Sequence, residues 1–348
     1  MQVARLLLLP FSLIYSAILF LRNRLYDWGL LNSTRSKVPT IVVGNLALGG
    51  TGKTPFTDYL LAHLKPHFST AALSRGYGRS TTGYLQVSTT SEVKAVGDEP
   101  LLLAYRHPKT QIAVCEDRVA GIEKMLSEKD RDIDVIVLDD AYQHRKLKGD
   151  VYVLLTTYHR PYFRDFVLPA GNLRDPRSER HRADIVVVTK CPPSLTPDER
   201  SVITRHLDVT KGTPVFFTHL EPVGYIEAST KQPAQTPESA VIVSSIADHA
   251  HFEAQIKRQV KVLNHLKFPD HHSFDSKDIQ RIADNIDSFV KDRPVVITTE
   301  KDWMRLAQFQ DNLKNIQVLY QPVNMNFLDD ENKFQDHLID LVRHARRV

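Results

Sequence analysis

The sequence predicts an α/β fold: a doubly wound parallel sheet followed by a second, smaller α/β domain and preceded by a hydrophobic helix. Three observations predict it. Short, wholly apolar runs alternate with helical stretches as far as Val188, the pattern of strands buried on both faces of a parallel sheet. A glycine-rich loop separates the first such run from the first of these helices. A run of 16 uncharged residues, Leu6 to Leu21, lies near the start.

As a helix, that run is about 24 Å long against a hydrocarbon core of about 30 Å, and Pro10 disturbs its first turns. It is short for a bilayer span. Arg5, Arg22 and Arg24 flank it, and Tyr15, Tyr26 and Trp28 suit the headgroup region. We read residues 1–28 as a membrane-associated helix lying in the interface. A signal peptide is the rival, but no small-x-small cleavage site follows the run. A buried core helix is the plain alternative.

The apolar run ending at Val43 predicts the first strand, and 54–64 reads as an amphipathic helix. Further strands are expected at 70–73, 112–114, 134–138, 151–155 and 185–188, with a helix over 119–129. The pattern changes near 213–222, and the polar stretch 227–238 reads as a join between domains. The expected division is therefore 29–220 and 221–348. In the second part, strands are expected at 240–244 and 295–298, and helices at 251–260, 301–307 and 332–346.

Residues Gly44 to Pro55 read GNLALGGTGKTP between a strand and a helix. Glycines allow the tight turn, and main-chain N–H groups at a helix start cradle phosphate oxygens. This predicts a P-loop NTPase-like first domain in which Gly49, Gly50, Thr51 and Gly52 wrap a nucleotide's phosphates. Lys53 would reach the β- and γ-phosphates, and Thr54 would ligate Mg²⁺. The strict motif has glycine where Ala47 stands, but the GGTGKT core keeps its strand–loop–helix context. Leu48 occupies the place of the signature lysine of partner-regulated ATPases, which argues against that class. Thr189-Lys190-Cys191-Pro192 departs from the guanine-specifying Asn-Lys-x-Asp, which favours ATP over GTP.

Asp139 and Asp140 end the expected strand at 134–138, where an α/β sheet binds ligands and a carboxylate can hold Mg²⁺. Gln143 and His144 follow. Ser74 to Arg79 is either a solvated loop or a grip for an anion. Asp98 in Gly97-Asp98-Glu99-Pro100 is either a helix N-cap or a base for an acceptor hydroxyl. Asp270-His271-His272 would not be chosen unaided, although its imidazole could partner such a carboxylate. Arg174 lies in a basic stretch that is either a surface loop or a phosphate clamp.

Composition narrows the classes. The 348 residues carry a formal net charge of +4, which points to no nucleic-acid partner. Cys115 and Cys191 are the only cysteines and have no metal-ligand spacing, which excludes a disulfide framework. Two functional classes are set against each other: the lipid kinase that the resemblance given next implies, and a membrane-associated nucleotide switch that binds a protein.

GNLALGGTGKTP, SRGYGR, VGDEP, VLDDAYQHR, LPAGNLRDP, VVTK, FPDHHSF and TTEKD occur in this order. Together they resemble the tetraacyldisaccharide 4'-kinases, from about residue 5 to about residue 306. The resemblance implies transfer of the ATP γ-phosphoryl, with Mg²⁺, to the 4' hydroxyl of a tetraacyldisaccharide 1-phosphate in lipid A biosynthesis. It implies work at the cytoplasmic face of the inner membrane, with a glycolipid substrate and no obligate protein partner. Carried over by motif, Lys53 and Thr54 serve ATP and Mg²⁺, and Asp139 and Asp140 belong to the metal and phosphate site. Asp98 and His271 form the acid–base pair, and Arg75, Tyr77, Glu99, Arg118, Gln143, His144 and Arg174 contact substrate. Ser245-Ile246-Ala247 and Asp139-Asp140-Ala141 each lack a glycine usual in the family, which leaves loop shape and acyl preference open.

Overall fold

A computed structural model describes residues 5, 7–128, 132–289, 291 and 294–346. Leu6 of the hydrophobic run and Lys129 of the expected helix lie outside them. The chain divides into two compact units. The first comprises Met1–Thr89, Leu103–Leu220 and Met325–Val348, and the second Thr90–Leu102 and Glu221–Asn324. The units are thus not the contiguous blocks 29–220 and 221–348: the end of the chain returns to the first unit, and a segment around Asp98 counts with the second.

The first unit begins with α1 (Leu9–Asp27). Then come β1 (Thr40–Asn45), α2 (Lys53–Leu64), β2 (Thr70–Ser74) and β3 (Leu85–Val87). The short α3 (Val93–Val96) belongs to the second unit, and α4 (Asp98–Arg106) starts in that unit and finishes in the first. The first unit continues with β4 (Gln111–Val114), α5 (Arg118–Ser127), β5 (Val135–Leu138), β6 (Val151–Thr157), β7 (Ile185–Thr189), α6 (Pro197–Leu207) and β8 (Val215–Pro222).

β1 is flanked in parallel by β5 and β6, β2 pairs in parallel with β4 and β5, and β6, β7 and β8 run parallel in sequence. Every residue of β1, β2, β4, β5 and β7 is buried. That is why these runs read as continuous apolar stretches. The crossover reverses at β1, so the loops after β1 and β5 emerge side by side at the C-terminal edge, where such sheets bind ligands. Gly44 within β1 is needed for packing: a Cβ there would lie 2.5 Å from Cβ of Tyr142.

The second unit holds β9 (Tyr225–Glu227), β10 (Pro233–Ala234), β11 (Ser239–Ser244), α7 (His249–Ile256), β12 (Lys261–Lys267), α8 (Ser276–Asp287), β13 (Val295–Thr299), α9 (Glu300–Leu306) and β14 (Val318–Gln321). β15 (Val323–Phe327) carries the chain back, and α10 (Glu331–Ala345) ends it. Among the described residues the second sheet has the order β10-β9-β14-β13-β11-β12, parallel from β14 to β12 and antiparallel at β9 and β10. Ile242, Ile256, Ile297 and Leu319 are among the residues of its core.

The polar stretch read as a join is therefore not a linker. It contains β10 and the end of β9, which add to the second sheet. β8, in the stretch where the pattern changes, belongs to the first sheet. The expected helix 251–260 stops at Ile256, because Lys261 begins β12.

Candidate functional site

In the first unit the site starts where β1 ends. The chain leaves Asn45, turns through Gly49 with φ +105° and enters α2 through Gly52 with φ +84°. That left-handed conformation is costly for any residue with a Cβ, which explains glycine immediately before Lys53. No side chain caps the start of α2. Its first N–H groups and the positive end of its dipole are thus arranged for an anion. Thr189 at the end of β7 donates its hydroxyl to the Thr51 carbonyl at 2.7 Å, which fixes the loop to the sheet.

Lys53 Nζ lies 3.5 Å from Asn45 Oδ1 and 3.6 Å from Asp140 Oδ1. Asp140 sits just beyond β5 at φ +49°. Its carboxylate is paired with the Arg174 guanidinium, whose Nη1 is 3.2 Å from Oδ2, and Arg174 Nη2 also donates to Asn45 Oδ1 at 2.6 Å. Burial pushes the Asp140 carboxyl up. Hydrogen bonding from Arg174 and the charges of Lys53, Arg174 and Arg118 outweigh this and hold it below the ordinary value. Asp139 is buried and accepts from Thr57 Oγ1 of α2 at 3.2 Å.

Arg118, the first residue of α5, is 2% exposed. It donates to the carbonyls of Cys115 at 2.6 Å and of Asp139 and Asp140 at 3.3 Å. Burial lowers it to about 10, so it remains charged at neutral pH. Gln143 donates to the Asn45 carbonyl at 2.8 Å. His144 lies 3.9 Å from Asp117 Oδ1. Burial and then the Arg118 charge push its imidazole down to about 4. Arg75 and Tyr77 sit on the exposed loop after β2, and Tyr77 is 73% exposed.

Thr51 Oγ1, Arg118 Nε, Gln143 Oε1 and Arg174 Nε are buried without a hydrogen-bond partner among the described residues. Buried polar groups are normally satisfied, so this set suits a site that a phosphorylated ligand completes. Among the described residues no group of three or more His, Cys, Asp or Glu could hold a metal. Magnesium takes hard oxygen donors, one or two carboxylates from the protein and the rest from phosphates and water. Thr54, Asp139 and Asp140 are oxygen donors of that type.

The second unit brings together Asp98, Glu99 and His271. Asp98 opens α4 after Gly97, is buried, and accepts from the Glu99 N–H at 2.9 Å. His271 has φ +60° and places Nδ1 3.4 Å from Asp98 Oδ2. Two residues not foreseen as site groups complete the cluster. Lys301 Nζ lies 3.0 Å from Glu99 Oε1, 3.3 Å from His271 Nε2 and 3.7 Å from Asp98 Oδ2. Arg305 is ion-paired with Asp98. Lys301 lies within TTEKD, whereas Arg305 falls beyond that motif, one helical turn after Lys301 on the same helix.

A family model described as "Tetraacyldisaccharide-1-P 4'-kinase" matches residues 4–343. A curated tetraacyldisaccharide 4'-kinase of Bacteroides thetaiotaomicron is 37% identical, over 98% of this chain and 94% of that protein. One of Cytophaga hutchinsonii is 38% identical, over 98% and 99%. A crystal structure of the "apo" form of LpxK from Aquifex aeolicus in complex with ATP aligns with a TM-score of 0.77 at 30% identity, over 97% of this chain and 99% of that one.

Proposed function

Since this chain belongs to the tetraacyldisaccharide-1-P 4'-kinase family, we infer that it transfers the γ-phosphoryl of ATP to the 4' hydroxyl of a tetraacyldisaccharide 1-phosphate in lipid A biosynthesis. One structural observation supports this most. Lys53, Asp140, Arg174 and Asn45 form a single charged network at an uncapped helix start, beside the left-handed Gly52.

Phosphoryl transfer asks a protein mainly for positioning and charge neutralisation. The main-chain N–H groups of Gly50 to Thr54 hold the phosphates, and Lys53 offsets charge on the β- and γ-oxygens. Arg174, released in part from Asp140, clamps the transferred group. Thr54 and Asp139, with Asp140, would hold Mg²⁺, which supplies further neutralisation of phosphate charge when bound. Asp98 accepts the proton of the 4' hydroxyl as that oxygen bonds to phosphorus. The bond from the γ-phosphorus to the bridging oxygen breaks, and ADP leaves. His271 supports Asp98, while Arg75, Tyr77, Glu99, Arg118, Gln143 and His144 bind and orient substrate. Residues 29–220 supply the nucleotide-binding part in this reading, and most of 221–348 the smaller α/β part.

The acceptor is a lipid, and α1 suits a lipid surface. Phe11, Leu13, Ile14, Ile18 and Leu21 are all outward, while Ser12, Leu19 and Asn23 are buried. No helix among the described residues is long and apolar enough to cross a membrane. We therefore place residues 1–28 in the interface of the inner membrane's cytoplasmic face, bound monotopically.

The test is incubation with γ-labelled ATP, Mg²⁺ and detergent-dispersed tetraacyldisaccharide 1-phosphate, followed by mapping of the product. Label at the 4' position is expected. Nucleotide hydrolysis with no labelled lipid sinks the reading.

A further inference from the structure

We propose that Arg305 is a positioning residue for the Asp98–His271 pair, a buried guanidinium that holds both partners through one of its nitrogens. The proposal rests on the phosphoryl-transfer reading and adds a residue to it.

Arg305 lies on α9 and is 4% exposed. Its Nη1 donates to Ser245 Oγ at 2.7 Å and to Asp302 Oδ1 at 3.3 Å. Asp302, wholly buried, is itself fixed by the Ser245 N–H at 3.0 Å, the Ser245 hydroxyl and the Thr299 hydroxyl at 2.8 Å. One end of the guanidinium is therefore anchored to the turn after β11 and to the first turn of α9. The other end does different work. Nη2 pairs with Asp98 Oδ2 and lies 3.1 Å from His271 Nδ1.

Donor chemistry decides what this means. A guanidinium has no acceptor, so toward Nδ1 it can only donate, and a hydrogen bond there needs a lone pair on the imidazole. Lys301 Nζ, which likewise can only donate, lies 3.3 Å from Nε2, so a neutral His271 accepts from one of the two cations and not from both. Asp98 receives its hydrogen bond from Arg305 and stays ionised beside a fixed positive charge, ready to accept a proton. The groups facing Asp98 are Arg305 and Lys301 from α9, His271 from the turn before α8, and the neighbouring Glu99. Arg305 is the one tied on its far side to a buried carboxylate, which prevents it from swinging away. A bidentate fork of this kind cannot be replaced by a lysine without losing one side.

The experiment measures kcat and KM against pH for the full-length protein and for Arg305→Gln and Arg305→Lys, with thermal melts as folding controls. In Arg305→Gln, kcat falls about 10- to 100-fold while KM for ATP stays within about twofold. The acid limb of its kcat profile moves up by about one pH unit or more, because a carboxylate without its cation protonates earlier as pH falls. Arg305→Lys keeps the charge, so its acid limb stays near that of the wild type although kcat drops. An Arg305→Gln profile that overlays the wild type, with kcat within about twofold, overturns the proposal. Should the Gln variant melt below the assay temperature, the Lys variant decides, and wild-type kcat in it is equally fatal. Absence of acceptor phosphorylation by the wild-type protein would instead strike the functional reading itself.

Discussion

At the scale of single residues, the first-unit site is a matter of opposite charges held together in half-buried positions. Lys53 and Arg174 share Asp140, and each has a second contact to Asn45. Lys53→Ala removes the cation proposed to meet the phosphate and leaves Asp140 with less compensation. Turnover in the acceptor assay should drop about 100-fold or more. Retention of even a tenth of wild-type kcat would show that the charge is not used on the reacting phosphate. His144 gives a prediction in pH. Its imidazole is pushed from 6.5 to about 4, so between those values the unfolded chain takes up a proton that the folded chain refuses. Its share of stability is full above about 6.5 and is lost as pH falls towards about 4. Melting temperatures measured from pH 4 to 7 should fall less steeply for His144→Gln than for the wild type, and parallel curves would refute the assignment. That Lys53 and Asp140 lie close together was legible, because strand–loop–helix patterns put such groups at fixed offsets. Arg305 was not, since its partner Asp98 lies 207 residues away in sequence and nothing local marks the pair.

Elements explain which parts of the fold the sequence conceals. The strands read correctly are central ones, buried on both faces and thus apolar throughout. Many of those missed are edges: β3, β10, β12 and β15 each end a sheet. An edge strand is half solvated and carries polar residues, as Lys261, Asn264 and Lys267 do in β12, so its pattern resembles a loop. α8 was overlooked despite a legible signal, a capping box of Asp275 and Asp278 ahead of Ile279 and Ile282. Two element-level tests follow. Gly52→Ala forces a Cβ into a left-handed position at the start of α2, costing about 1–2 kcal/mol. The nearest atom to such a Cβ is 3.6 Å away, so strain and not crowding sets the cost. ATP affinity should fall along with the melting temperature, and an unchanged melt would contradict it. α1 is fastened to the Arg174 loop by Ser12 accepting from the Ala170 N–H at 2.8 Å and Asn23 donating to buried Asp175 at 3.0 Å. Asn23→Ala takes the hydrogen bond from that carboxylate and leaves it Arg22 at 3.8 Å, with an expected loss of about 1–3 kcal/mol in chemical denaturation. A loss within error of zero would mean that water replaces the amide at no cost.

For the whole molecule, the decisive feature is a helix that leaves most of its large apolar side chains exposed. In an aqueous protein the apolar side of a surface helix faces the core. In α1, Leu19 and the polar Ser12 and Asn23 are inside, while Phe11 and Ile18, both at least 60% exposed, face out. The sequence alone disclosed an apolar run but not this orientation, which depends on polar anchors at Ala170 and Asp175, far along the chain. It disclosed the unit boundaries only partly for the same reason: the assignment of Thr90–Leu102 and Met325–Val348 rests on long-range packing that leaves no local pattern. Contiguous exposed apolar surface of this kind is rare unless something covers it, and the acceptor in this family is a lipid. Replacing Phe11, Ile14 and Ile18 by serine should spare the fold, because all three side chains are exposed. Full burial is worth about 1.5 kcal/mol per such side chain, and half of that in an interface gives about 2 kcal/mol for three, or roughly thirty-fold in partitioning. Co-sedimentation with anionic phospholipid vesicles should weaken by that order. Turnover of acceptor embedded in vesicles should fall with it, while turnover of the same acceptor dispersed in detergent stays close to wild type. The two assays separate the anchor from the chemistry: equal loss in both would place these residues in substrate binding, and no loss in either would leave α1 without a membrane role.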